Sequence, residues 1–256
     1  MLEYCPLIST FARMKQAMIF AAGLGTRLKP LTDTMPKALV RVGGQPLLWH
    51  VIMKLKGAGY ERIVVNVHHF ANQIIDYLAE QDHFGLDIRI SDETEGLLET
   101  GGGIKKALPL FDPESPILIH NVDILSNIDF NELALSEPVP DALLVVSSRQ
   151  TKRYLLFDEE RRLHGWTNIE TGEVKSPYQG LDPSALKMLA FSGIHVISPS
   201  VFPLFETMPA RFGIIDFYLK YCHQCTFLGY EKKDLQLMDV GKLDTLDQAE
   251  TFIKQL

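Results

Sequence analysis

The sequence predicts an α/β protein, with a mainly parallel sheet covered by helices on both faces and a smaller lobe inserted in its second half. Three observations carry this. Apolar runs of strand length alternate with segments of helical period as far as Val146. The runs are apolar throughout, as in strands buried on both faces, and do not alternate with polar residues. The composition, 46% apolar and 22% charged over 256 residues, is that of a globular chain long enough to bury a sizeable core.

The elements follow in order. Ala17–Ala22 reads as a buried strand. Gln45–Lys56 reads as a helix, with Leu47, Val51 and Leu55 four apart beside Leu48 and Ile52, and Gly57 and Gly59 ending it. Arg62–Val67 is the next strand, and Ala71–Glu80 a helix with Ile74, Ile75 and Leu78 inward. A strand at Leu86–Ile90, a helix at Gly103–Leu108, a strand at Pro116–Asn121, a helix at Asp129–Ser136 and a strand at Ala142–Val146 follow. The βαβα order implies parallel strands. Tyr154–Phe157 and Arg162–Trp166 form a hairpin turned at Asp158-Glu159-Glu160. Thr167–Pro183 reads as a loop or lid. Ser192–Ile197 is a strand, Gly213–Tyr221 a helix and Thr226–Tyr230 a strand. Lys242–Lys254 is a final helix with Leu243, Leu246, Ala249 and Ile253 inward. One domain over 14–256 is expected, with 1–13 a peripheral extension or Met14 the true start.

The net charge of −7 argues against nucleic-acid partners, which need a basic surface. It leaves room for anionic small molecules held by local cations. Cys5, Cys222 and Cys225 make no disulfide framework and suit a reducing compartment. No apolar run reaches the ~18 residues of a membrane span. Arg13 and Lys15 before Ala17–Leu24 imitate a signal peptide, but Glu3 upstream and Gly23, Gly25 and Arg27 at the run's end fit a buried strand. A cytoplasmic protein is expected.

The first strand runs into Ala21-Ala22-Gly23-Leu24-Gly25-Thr26-Arg27-Leu28-Lys29-Pro30. Glycines let backbone amides approach an anion. Three readings compete. A dinucleotide fingerprint needs a third glycine where Leu28 stands. A P-loop needs Gly-Lys-Ser/Thr, which is missing. A plain tight turn accounts for the glycines, but not for Arg27 and Lys37 in a segment stiffened by Pro30 and Pro36.

Gly23-x-Gly25-Thr26-Arg27-x-x-Pro30-Leu31-Thr32 followed by Met35-Pro36-Lys37-Ala38-Leu39 resembles the signature of sugar-1-phosphate nucleotidyltransferases. Val42-Gly43-Gly44-Gln45-Pro46-Leu47, Leu98-Glu99-Thr100-Gly101-Gly102-Gly103-Ile104, Asp123 and Asp239-Val240-Gly241 are similar to the family as well. The resemblance implies a Rossmann-like three-layer sandwich with the inserted lobe on the substrate side. It implies the reaction NTP + sugar 1-phosphate → NDP-sugar + pyrophosphate, with Mg²⁺. Leu98–Ile104 looks most like the uridylyltransferases of N-acetylmuramate 1-phosphate, so UTP is favoured; guanylyl transfer to mannose 1-phosphate is the alternative. A noncatalytic nucleotide-sugar sensor would lack the arginine, the lysine or the aspartates.

By the same resemblance Arg27 holds the departing pyrophosphate and Lys37 neutralises charge at the α-phosphate. Ala21, Ala22, Gly23, Gly25, Thr26, Glu99, Thr100 and Gly101 would hold the nucleotide, and Asp123 and Asp239 the metal. Ser192, Gly193 and Lys175 match sugar-side positions loosely. Val122 stands where the family usually has glycine, which would narrow the site. Cys222-His223-Gln224-Cys225 lacks a second ligand pair and reads as structural. His68-His69 reads as a loop or cap near the nucleotide, His195 as structural, and Trp166 as either a packing anchor or a sugar face.

Overall fold

A computed structural model describes residues 14–134 and 140–256. The first apolar run forms β1 (Gln16–Phe20), and Ala21 and Ala22 leave the sheet instead of extending it. Two short paired segments, β2 (Arg41–Val42) and β3 (Gln45–Pro46), precede α1 (Leu47–Gly57), so this helix starts two residues later than its period suggests. β4 (Arg62–Val67) and α2 (Ala71–Glu80) take the expected ranges. β5 (Asp87–Asp92), α3 (Glu99–Ala107), β6 (Ile117–Asn121), β7 (Ile124–Ser126), α4 (Phe130–Ala134) and β8 (Ala142–Ser147) follow. Residues 135 and 136, expected to end the fourth helix, lie outside the described residues.

The second half holds β9 (Arg153–Phe157), β10 (Leu163–Asn168), β11 (Glu173–Lys175) and β12 (Lys187–Ile197). It ends with α5 (Ile214–Tyr221), β13 (Phe227–Glu231), β14 (Leu237–Asp239) and α6 (Leu246–Ile253). The stretch read as a loop or lid contains β11, which pairs with β10 at Trp166–Lys175. Its polar composition hid the strand, because all three residues face solvent.

β1 is parallel to β4 and β6, and β4 to β5. Beyond β6 lies antiparallel β12, eleven residues long where six were expected. Its last residues pair with β6 and β8, and its first with β9. A register shift between Phe191 and His195 bends it, and so one strand joins the parallel core to the antiparallel lobe β9–β11.

Alternation along β1 divides the core. Ala17 and Ile19 face the layer of α1 and α2 with Leu48, Ile52 and Ile74. Met18 faces the layer of α3 and α5 with Ile104, Phe217 and Tyr218. Ile75 and Leu243, expected inward, are 36% and 43% exposed. Ile75 flanks the α2 stripe, and Leu243 sits in a 3₁₀ turn before α6, where the helical period does not yet hold. His195 is buried on β12 and bonds the Tyr218 hydroxyl, a structural role as expected. No helix among the described residues is long and apolar enough to cross a membrane.

Candidate active site

β1, β4 and β6 are parallel, so their carboxyl ends open on one edge of the sheet, where α/β sites form. A cavity of about 450 Å³ lies there. Ala21, Ala22, Gly23, Gly25, Thr26 and Arg27 line it from the loop after β1, and Glu99 and Thr100 from the start of α3. Lys37, Asp123 and Gly241 also form part of the wall. Gly101 is the exception. A methyl there would stand 2.2 Å from the Phe212 ring, and its amide donates to the Phe212 carbonyl at 2.9 Å. This glycine packs α3 against the segment before α5 and does not line the cavity.

Gly25 has φ +62°, and a methyl on it would meet the Thr32 side chain at 2.9 Å and Lys37 Cβ at 3.1 Å. The loop thus folds tightly onto the Pro36-Lys37 segment, which only glycine permits. Thr32 fixes it by donating from Oγ1 to the Gly25 carbonyl at 2.8 Å. Lys37, in a 3₁₀ turn, is 8% exposed. A buried ammonium needs a partner, and its Nζ is ion-paired to Asp123 Oδ2.

Asp123 and Asp239 are brought together by β14, which pairs with β7. The Val240 amide donates to the Asp123 carbonyl at 2.8 Å. A methyl at Gly241 would lie 2.6 Å from Asp239 Oδ1 and 2.8 Å from Arg27 Nη2, so this bare glycine lets the guanidinium lie beside the carboxylate. Partial burial and the Asp123 charge raise the Asp239 carboxyl above its usual range, against Lys37, Arg27 and Arg149, which pull it down. Two neighbouring carboxylates whose charges oppose each other suit a hard, oxygen-seeking dication, with phosphates and water completing its shell. No group of three or more such ligands exists among the described residues.

Sequence reasoning missed three polar residues. Asn66, near the end of β4, is 2% exposed, and its Oδ1 accepts from the Ala21 and Ala22 amides at 2.7 and 3.2 Å. Its Nδ2 donates to Glu93, which also accepts from the Leu98 amide and so ties the β1 loop to the approach of α3. Asn121 closes β6 on the cavity wall. The available signal was a polar residue at the carboxyl end of an apolar run. Glu99 has φ +63°, a conformation costing a non-glycine residue on the order of 1 kcal/mol. Val122 both lines the cavity and packs into the core, its amide donating to the Phe20 carbonyl.

Residues 16–142 match the family described as nucleotidyl transferase. The N-acetylmuramate alpha-1-phosphate uridylyltransferase of Caulobacter vibrioides is 37% identical over 199 residues, covering 73% of this chain and 76% of that one. The chain belongs to the sugar-1-phosphate nucleotidyltransferase family. A mannose-1-phosphate guanyltransferase of Yarrowia lipolytica is 29% identical over 202 residues, 76% of this chain and 52% of its own. HddC from Yersinia pseudotuberculosis, solved with GMP-PN, superposes with a TM-score of 0.74 at 21% identity over 94% of this chain and all of its own, which shows a shared fold. Nucleotidyltransferases of this family take an NTP and a sugar 1-phosphate and work with a divalent cation.

The remaining expected residues lie elsewhere. Lys175 and Trp166 line a second cavity of about 370 Å³, with Lys175 Nζ 5.3 Å from the Trp166 ring centre. Gly193 has φ +73° and backs onto Asn121, where a methyl would stand 2.5 Å from Nδ2. Ser192 is 2% exposed, and neither of these two cavities includes it in its lining. His68 bonds the Glu93 carbonyl at 2.7 Å, a support behind the cavity wall, and the cavity lining includes neither His68 nor His69. Burial pushes the Cys222 thiol up to about 11, the opposite of a thiolate metal ligand.

Proposed function

We propose that this chain transfers a uridylyl group from UTP to N-acetylmuramate 1-phosphate or a related hexose 1-phosphate, releasing pyrophosphate, with Mg²⁺. One observation supports this most. Arg27, Lys37, Asp123 and Asp239, from three distant stretches of chain, gather at one mouth beside a glycine loop. Over about 200 aligned residues the identity is 37% to the uridylyltransferase and 29% to the guanyltransferase, which favours UTP.

In the reaction, a sugar-phosphate oxygen attacks the α-phosphorus. The P–O bond to it forms as the bond to the β-phosphate breaks, and that electron pair leaves with pyrophosphate. Catalysis is then positioning and charge neutralisation. The Ala21 and Ala22 amides are committed to Asn66, so the amides available to phosphates begin at Gly23. Arg27 presents a planar fork to the departing pyrophosphate. Lys37 holds the Asp123 charge in the free protein and turns its ammonium to the α-phosphate when substrate arrives. Asp123 and Asp239 would hold Mg²⁺, which supplies Lewis-acid neutralisation of phosphate charge.

The test is pyrophosphate release from a grid of NTPs against sugar 1-phosphates with Mg²⁺. The fastest pair should be UTP with N-acetylmuramate 1-phosphate. A dominant rate with GTP and mannose 1-phosphate would overturn the substrate assignment, and no release from any pair would overturn the activity.

A further inference from the structure

The second cavity has a charge opposite to that of the whole chain. The register of the lobe explains how it is built. Trp166 pairs with Leu155 on one side and Lys175 on the other, so the three side chains share one face of the sheet. Arg153 lies two residues before Leu155 and returns to the same face. Phe191 lies two after Leu189, which pairs with Leu155, and returns to it as well. Arg149 reaches across this face, its Nη2 donating to the Phe191 carbonyl at 3.1 Å. The opposite wall is α5, with Ile215, Asp216 and Leu219.

Three cations, Arg149, Arg153 and Lys175, therefore face one carboxylate, Asp216, in a chain of net charge −7. Asp216 is already engaged, accepting from the Gly213 amide at the start of α5. Lys175 leans on Glu173 at 3.4 Å, whereas Arg149 and Arg153 have no carboxylate within ion-pair distance among the described residues. Trp166 and Phe191 supply flat apolar surface between the charges, the combination that receives a sugar ring and an anionic substituent.

Two links join this cavity to the nucleotide cavity. The Ile214 amide, beside Ile215, donates to Thr100 Oγ1 at 2.9 Å. The β12 bend that carries Phe191 presses Gly193 onto Asn121. A sugar whose phosphate sits at the aspartates can thus extend into the lobe.

We infer that Arg149 and Arg153 read a carboxylate on the sugar, making this cavity a selector for acidic sugar 1-phosphates, with Trp166 as the ring's platform. The Gly213 amide holds Asp216 Oδ2, which leaves Oδ1 to accept hydrogen bonds from sugar hydroxyls. The inference rests on the proposed nucleotidyl transfer, and its test separates the two. N-acetylmuramate differs from N-acetylglucosamine by one lactyl ether carrying the carboxylate. The ratio of kcat/KM for the two 1-phosphates with UTP should favour the acidic sugar at least tenfold. That ratio should fall tenfold or more in Arg153→Gln and in Arg149→Gln, with partial recovery in Arg153→Lys. A wild-type ratio near one, or variants whose ratio stays within twofold of wild type, would overturn the selector while leaving uridylyl transfer standing. Ligand-observed NMR with the free sugars, which needs no turnover, gives a second reading. N-acetylmuramate should bind more tightly than N-acetylglucosamine, and the difference should vanish in Arg153→Gln. Equal binding of both by the wild-type protein would overturn the selector, whatever the fate of the proposed activity.

Discussion

Replacing Lys37 by methionine keeps the length of the side chain and removes its charge. The ammonium is ion-paired to Asp123, with side chains 10% and 19% exposed. At an effective dielectric near 20, unit charges about 4 Å apart attract by about 4 kcal/mol, less the desolvation both ions have suffered. Exposed pairs contribute below about 1 kcal/mol, and breaking a fully buried one costs about 3–5. This pair lies between, and a loss of about 1–3 kcal/mol is expected. The loss has a second source, because Asp123 then faces Asp239 without the ammonium. Asp123→Asn in the Lys37→Met background removes the stranded charge and should recover most of the stability. Activity should behave differently. A cation aimed at the transferring phosphate contributes about 3–4 kcal/mol in the transition state, or roughly 10²–10³ in rate, and the double variant should not regain it. The assays are urea unfolding of all three proteins and pyrophosphate release with UTP and N-acetylmuramate 1-phosphate at saturating Mg²⁺. A single variant with kcat/KM within about threefold of wild type would refute the role given to Lys37. A double variant no more stable than the single would refute the stranded-charge account.

Arg27→Ala should lower turnover on the order of 10²-fold while leaving the melting temperature nearly unchanged, since the side chain is exposed at the mouth; rates near wild type would count against it. Gly101→Ala places a methyl 2.2 Å from the Phe212 ring and should destabilise by about 1–3 kcal/mol through overpacking, read from the urea midpoint. Burial lowers His120 to about 4 and His195 to about 3. Both stay neutral in the folded protein while their unfolded counterparts take protons below about 6.5, so their contribution is full above that pH. It falls as pH drops toward 4, at about 1.4 kcal/mol per unit for each. Unfolding free energies between pH 7 and 4.5 should show this slope, and His195→Gln should flatten it by one histidine's share; an unchanged slope would refute the assignment.

Much of the core was legible because its signals are local. β4 and α2 fall where the apolar runs and helical period place them, since each buries a face whose spacing its own geometry imposes. The two-part Gly23–Thr32 and Met35–Leu39 pattern carried the resemblance, because the loop conformation at Gly25 and the reach of Lys37 are set within a dozen residues. Other features depended on partners far along the chain. Gly101 reads like part of a nucleotide loop, yet a ring 111 positions away in sequence fills the space beside it. The polar segment Glu173–Lys175 becomes a strand only because Trp166 and its neighbours offer an edge. Asn66 and Arg149 carry no motif, and their roles come from what β1 and β12 place beside them. Asp123 and Asp239 were nameable singly, but the pairing of β14 with β7 sets their charges against each other. Sequence determines which short stretches fold alike and which chemistry they can offer. The long-range strand pairings decide which of those groups share a cavity, because electrostatic and packing energies depend on distance in space and not along the chain.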